Sequence, residues 1–212
     1  MIKLFQQAKH WQLFLGLMLP FFLMIPVQIN LFSNLGNPGG PIAPALDFIS
    51  LMPLIMLPPI IVIFGWHWSM GIGLQGYLPE GMRMRTGFLK LAIIFPLAYI
   101  SLFMLGFVGV FTFDFKTGMD LGEFAWFPAL IAIMVLSHLF SMFCMFYTIY
   151  QCAKVLKSVE LQREARFGEF LGEFFLLWFN YIGVWILQPR VNRIANGELE
   201  SPTEKAFGHY DN

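Results

Sequence analysis

The sequence predicts an all-α integral membrane protein with four transmembrane helices and a C-terminal re-entrant or interfacial helical segment. Three observations predict it. Of 212 residues, 58% are hydrophobic and only 12% charged, against roughly 45–50% and about 25% in a soluble domain. Four stretches contain no Asp, Glu, Lys or Arg: residues 11–46, 48–79, 91–113 and 124–153. Each exceeds the roughly 18–20 residues that a spanning helix needs. Positive charge also rises and falls from one connection to the next, as it does when alternate loops stay on one side of a membrane.

Taken in order, the first span is expected at about residues 11–32. Lys3 and Lys9 precede it as in a signal peptide, but the apolar run is too long for a typical signal h-region and no small-residue cleavage site follows. It therefore reads as a retained helix. Pro20 and Pro26 lie inside it. The connection 33–47, with Gly36, Pro38, Gly39, Gly40, Pro41 and Pro44, lacks helical periodicity and reads as an irregular external cap. The second span, about 48–70, contains Pro53, Pro58 and Pro59. Proline removes a backbone donor and crowds the preceding turn; kinks that shape the bundle are expected, with a broken-helix binding site as the alternative.

The third and fourth spans are expected at about 89–113 and 124–152. The run KVLKSVELQREARFGEF carries the fourth helix beyond the membrane with charges of alternating sign, pairs three and four apart suiting a solvated helix end, and Gly168 is expected to break it. The segment 168–190 differs in kind. Its charge-free part, 174–189, holds Asn180, Tyr181 and Gly183; its length is about 24 Å at helical rise, short of a hydrocarbon core of about 30 Å. Arg190, Arg193 and Lys205 follow it. If the segment turns back, all the basic residues but Lys116 lie on one side, and the positive-inside rule makes that side cytoplasmic. Residues 1–196 are thus expected to form one polytopic membrane domain, N-terminus inside, and 197–212 a polar cytoplasmic tail.

Few residues in the spans carry chemistry. His138 lies mid-span between Ser137 and Ser141, and an intramembrane ionisable group is a candidate functional site. A neutral imidazole bonded within the bundle is the simpler expectation. His67, between Trp66 and Trp68, is expected in the interfacial aromatic belt. Arg83, Arg85, Lys154, Lys157, Arg163, Arg166, Arg190 and Arg193 form a cytoplasmic collar, candidate contacts for anionic lipid or a partner. Cys144 and Cys152 have no metal-ligand or disulfide-framework spacing. There is no H-E-x-x-H, G-x-S-x-G, C-x-x-C or P-loop. No cofactor or metal is expected, and zero net charge gives no reason to expect nucleic acid.

Two stretches carry a resemblance. LPEGMRMRTGFLKLAIIFPLAYI, residues 78–100, and GEFFLLWFNYIGVWILQPRVNRI, residues 172–194, resemble a family of small bacterial polytopic membrane proteins. In that family an LPEG-x-x-M-like loop follows the second helix and a GEFF-x-x-WF-x-x-IG-x-W-x-x-QPR-x-N-like segment closes the chain. The resemblance implies architecture and brings no chemistry with it. Where that family often has Phe-Pro, this chain has Asn180-Tyr181.

The functional expectation is a non-catalytic integral membrane subunit or scaffold, bound to the bilayer and to another membrane protein or to itself as a homo-oligomer. A small transporter or channel for an apolar or neutral solute is the second reading, on Pro58, Pro59 and His138. A membrane enzyme at headgroup level, using His67, Glu80, Arg83 and Arg85, is the third.

Overall fold

The computed structural model describes residues 2–35, 43–82, 84–117 and 127–198. The Gly-Pro-rich part of the first outer connection, most of the second, Arg83 and the tail from 199 lie outside the described residues. All regular structure in the described residues is helical: α1 (Ile2–Gln7), α2 (His10–Leu35), α3 (Ala43–Gly71), a 3-10 turn (Gly73–Tyr77), α4 (Gly87–Thr117), α5 (Phe127–Leu161), α6 (Phe167–Trp178) and α7 (Asn180–Ala195). Four helices are long and apolar enough to span: His10–Ile29, Ile55–Tyr77, Gly87–Gly106 and Pro128–Leu161. The protein is an all-α polytopic membrane protein with four spans.

The helices run further than expected into both ends of the first outer connection and into the start of the second. α2 runs to Leu35, α3 starts at Ala43 and α4 runs to Thr117. Helix also continues through Pro20 and Pro26 in α2 and through Pro53, Pro58 and Pro59 in α3. The expected break at Gly168 falls elsewhere. α5 stops at Leu161, Gln162 takes a left-handed φ of 50°, and Gly168 lies inside α6. Gln162 closes this stop itself, donating from Nε2 to the carbonyl of Val159 at 2.6 Å, and the Ser158 hydroxyl accepts the Ala165 N–H at 3.0 Å. A polar residue thus supplies the turn that glycine usually supplies.

The C-terminal segment is a helical hairpin. α6 and α7 have 12 and 16 residues, so they reach about 18 and 24 Å and neither crosses a core of about 30 Å alone. The break falls at Phe179, with φ −88° and ψ 62°. Its neighbours place it in depth. Tyr181 meets Phe21 of α2, Trp185 meets Phe14 and His10, and Gln188 reaches the carbonyls of Phe5 and Ala8. α7 therefore runs antiparallel to α2. Its tip lies beside Phe21, about 16 Å from the start of α2, and its far end returns to the level of α1. The hairpin enters and leaves at one end of the bundle.

Burial is concentrated at that end. The main core joins Phe5, Leu13, Leu17, Trp66, Met70 and Leu74 to Cys152, Leu156, Phe170, Leu187 and Val191. At the other end, every residue from Pro128 to Phe143 except Ser137 and Ser141 is exposed. Among the described residues the bundle is closed at one end, and towards the other α5 is uncovered over 128–143. Lipid gives helices little hydrophobic reason to associate, so close backbone approach and polar links carry the packing. Gly65 lets the Phe5 ring of α1 lie on α3, where a Cβ would enter the ring. Gly183 lies so close to the Leu176 carbonyl that any side chain there would collide with backbone.

Gly183→Ala is expected to open the hairpin and lower stability by at least about 1–3 kcal/mol, the usual cost of overpacking. Gly172, whose Cβ would meet nothing within 4 Å, is the control: Gly172→Ala should be neutral or stabilising by up to about 1 kcal/mol. Thermal unfolding in detergent checks both, and equal effects would contradict the close approach.

Candidate functional site

Polar side chains gather at the closed end, and Gln188 is their centre. It is wholly buried, one residue before the end of the charge-free stretch 174–189, where an unbonded amide would be costly. Its Oε1 accepts the indole N–H of Trp66 at 2.7 Å, and its Nε2 donates to the carbonyls of Phe5 at 2.7 Å and Ala8 at 2.8 Å. Asn192, one turn further along α7, donates to the carbonyls of Gln6 at 2.6 Å and Ala8 at 3.2 Å. Those carbonyls lie where α1 ends and α2 has not begun, so they lack intrahelical partners. One amide thus joins α3, α7 and the α1–α2 elbow.

A charged cluster lies beside it. Arg190 reaches Glu160 of α5 at 2.5 Å and Glu173 of α6 at 2.6 Å. Lys157 reaches Glu173 at 3.2 Å and Glu160 at 3.8 Å. Burial raises the Glu173 carboxyl, but the hydrogen bond from Arg190 and the nearby charges outweigh it and hold the group below its ordinary value. Arg190 loses solvation by burial, yet its bonds to Glu160 and Glu173 keep its pKa raised. At the surface, Lys154 pairs with Glu164 at 2.6 Å, and Arg163 grips Glu169 with both guanidinium nitrogens at 2.5 and 3.0 Å. Glu169 also accepts the Arg166 N–H at 2.8 Å, which caps the start of α6. The hydrogen bond from Arg163, with the Arg166 N–H second, lowers the Glu169 pKa from 4.5 to about 2.

These contacts change what the collar offers. Lys154, Lys157, Arg163 and Arg190 are engaged with carboxylates; of these pairs Lys157–Glu160 runs along one helix, and the others reach the α5–α6 turn or link α5, α6 and α7. Arg85, Arg166 and Arg193 are exposed; Arg83 is outside the described residues.

The two histidines exchange their expected places. His67 is 1% exposed, and so is Trp66; neither lies in an interfacial belt. Nδ1 of His67 lies 2.8 Å from the Ile63 carbonyl, and its own carbonyl accepts the Cys152 thiol at 3.3 Å. His67 therefore does not gather with exposed Glu80 and Arg85 at headgroup level. α3 buries this stretch because α1, α5 and α7 all pack around it. His138, expected inside the bundle, is exposed on the side of α5. Nδ1 lies 3.4 Å from the Tyr99 hydroxyl of α4, which also donates to the Met134 carbonyl at 3.4 Å. Of its serine neighbours, Ser141 is buried and Ser137 partly so. Cys144 and Cys152 are buried free thiols. Among the described residues, no cluster of His, Cys, Asp and Glu could hold a metal ion.

The 78–86 loop is fixed by Gln75, whose Oε1 accepts the Met84 N–H at 3.0 Å and whose Nε2 donates to the Gly71 carbonyl at 3.1 Å. Sequence reasoning passed over Gln75, Gln188 and Asn192. The available signal was an amide inside or beside an apolar run, which must find partners. Compared with protein-family models, with curated proteins and with solved structures, the chain matches none.

The Glu169 pair gives a pH dependence of defined sign. A folded-state pKa below the unfolded value stabilises fully above about pH 4.5 and loses that contribution as pH falls towards about 2. Thermal stability in detergent should fall through that window, and Glu169→Gln should flatten the fall while lowering stability at neutral pH. An unchanged acid profile in the variant would contradict this role.

Proposed function

We propose that this protein is a non-catalytic subunit or scaffold of a bacterial inner membrane, N-terminus cytoplasmic, that docks a further transmembrane helix on the uncovered stretch of α5. The observation that carries this reading is the Tyr99–His138 pair on the exposed flank of α4 and α5. Their hydrogen bond uses one imidazole nitrogen; among the described residues the other has no partner. A polar group facing hydrocarbon is costly, and membrane helices meet that cost by bonding across an interface.

The surroundings suit such an interface. Phe95, Tyr99 and Phe103 stack along α4, and Phe140 meets Phe95 edge-on with centroids 4.8 Å apart. This aromatic seam braces one side of α5. Leu136 and Leu139, 67% and 58% exposed, present the other side. The paired charges at the closed end support the same reading. Carboxylates and cations that transport or acid–base catalysis would use are engaged in holding helices together. The resemblance to small polytopic membrane proteins agrees with a compact subunit.

A photo-crosslinking residue at Leu136 should join the chain, in membranes, to one polypeptide in fixed stoichiometry, another membrane protein or a second copy. His138→Leu should lower that yield several-fold, in line with about 1–2 kcal/mol for an interhelical hydrogen bond in lipid. Crosslinks to lipid alone, with His138→Leu raising thermal stability, would show a lipid-facing flank and overturn the proposal.

A further inference from the structure

The α1–α2 elbow has a second side with its own chemistry. α1 ends at Gln7, α2 begins at His10, and Ala8 and Lys9 make the bend. Gln188 and Asn192 hold the elbow's carbonyls, so its shape is set by the protein alone. Beside it opens a groove of about 700 Å³, within the range of small-ligand sites. Leu4, Leu13 and Val62 give it an apolar wall, and Gln7 and Gln12 contribute amides at its mouth. Oε1 of Gln12 accepts the Lys9 N–H at 2.8 Å, which leaves the NH2 of that amide as a donor. Leu4 is 67% exposed.

Charge completes the arrangement. Lys3 and Lys9 are both exposed, and among the described residues neither makes an ion pair. Four carboxylates of the closed end belong to other cations: Glu164 to Lys154, Glu169 to Arg163, Glu160 and Glu173 to Lys157 and Arg190; Glu80 and Glu198 are exposed and pair with neither lysine. The first acidic residue of the chain is Asp47, at the opposite end of the first span. The charge-free run starts at Trp11, itself 45% exposed, and a tryptophan next to such a run marks the edge of the hydrocarbon. Two cations therefore adjoin the groove in sequence, Lys3 next to Leu4 and Lys9 next to Ala8, close to the membrane edge that Trp11 marks.

We propose that this elbow is a binding site for one anionic phospholipid, its phosphate held by Lys3 and Lys9 with Gln7 or Gln12, and an acyl chain against Leu4, Leu13 and Val62. The site is independent of the docking flank, which lies on α5 over 128–143.

The test uses the full chain in micelles with equimolar phosphatidylglycerol and phosphatidylcholine of identical acyl chains, with bound lipid counted by native mass spectrometry. The wild type should retain phosphatidylglycerol preferentially. Lys3→Gln with Lys9→Gln should lower that preference roughly thirtyfold, with an unchanged thermal melt because both side chains are exposed. Leu4→Ser should weaken retention of both lipids and leave their ratio unchanged. The control pair, Arg85→Gln with Arg193→Gln, should keep most of the preference. A double lysine variant with wild-type preference would overturn the proposal. So would an equal loss in the arginine control, which would mean diffuse attraction to the whole basic face.

Discussion

The buried amide of Gln188 is the contact on which the rest of the closed end depends. Its oxygen takes the Trp66 indole and its nitrogen takes two carbonyls from the elbow before α2. A membrane protein cannot rely on apolar burial to bring helices together, because lipid tails are as apolar as the helices. A buried amide supplies direction where burial supplies none. Trp66 adds a large rigid surface with a single donor, so its bond to Gln188 fixes how α7 sits on α3. Removing the amide would leave an indole N–H and two carbonyls without this partner, each costing about 1–3 kcal/mol.

The charged cluster depends on that placement. Arg190 follows Gln188 by two residues, so the turn that buries the amide swings the guanidinium towards Glu160 and Glu173. Such a network is a poor source of net stability, since desolvation consumes much of the Coulombic gain, but breaking it is expensive. It therefore specifies one geometry for α5, α6 and α7. The cost of that geometry is that four collar cations are occupied, whereas Lys3 and Lys9, like Arg85 and Arg193, make no ion pair among the described residues. The hairpin lock and the lipid-binding elbow are consequences of one charge distribution.

The spans were legible in the sequence because absence of charge over more than twenty residues is a bulk property that no packing detail overrides. The hairpin was legible from the short charge-free stretch 174–189, although its break comes at Phe179 without a proline. What stayed hidden was lateral orientation. Depth placed Trp66 and His67 near an interface, and only the packing of α1, α5 and α7 shows that this face is buried. The same gap misplaced His138, because a mid-span imidazole is expected inside and nothing in the local sequence records that α5 is uncovered over 128–143. Gln162 stops α5 with no glycine or proline to announce it, and the ion pairs bridge a turn whose position was therefore misjudged.

The central claim is that the returning end of α7 sits against the elbow before α2, at one face of the membrane. Ala8 and Asn192 are in direct contact, the Asn192 amide lying 3.2 Å from the Ala8 carbonyl. With Cys144 and Cys152 replaced by Ala, single cysteines at Ala8 and Asn192 should form a disulfide in intact membranes under mild oxidation, and an impermeant maleimide should reach both from the same side. Failure to cross-link, with the two positions labelled from opposite sides, would mean that the hairpin crosses the bilayer, and the account of the closed end would be wrong.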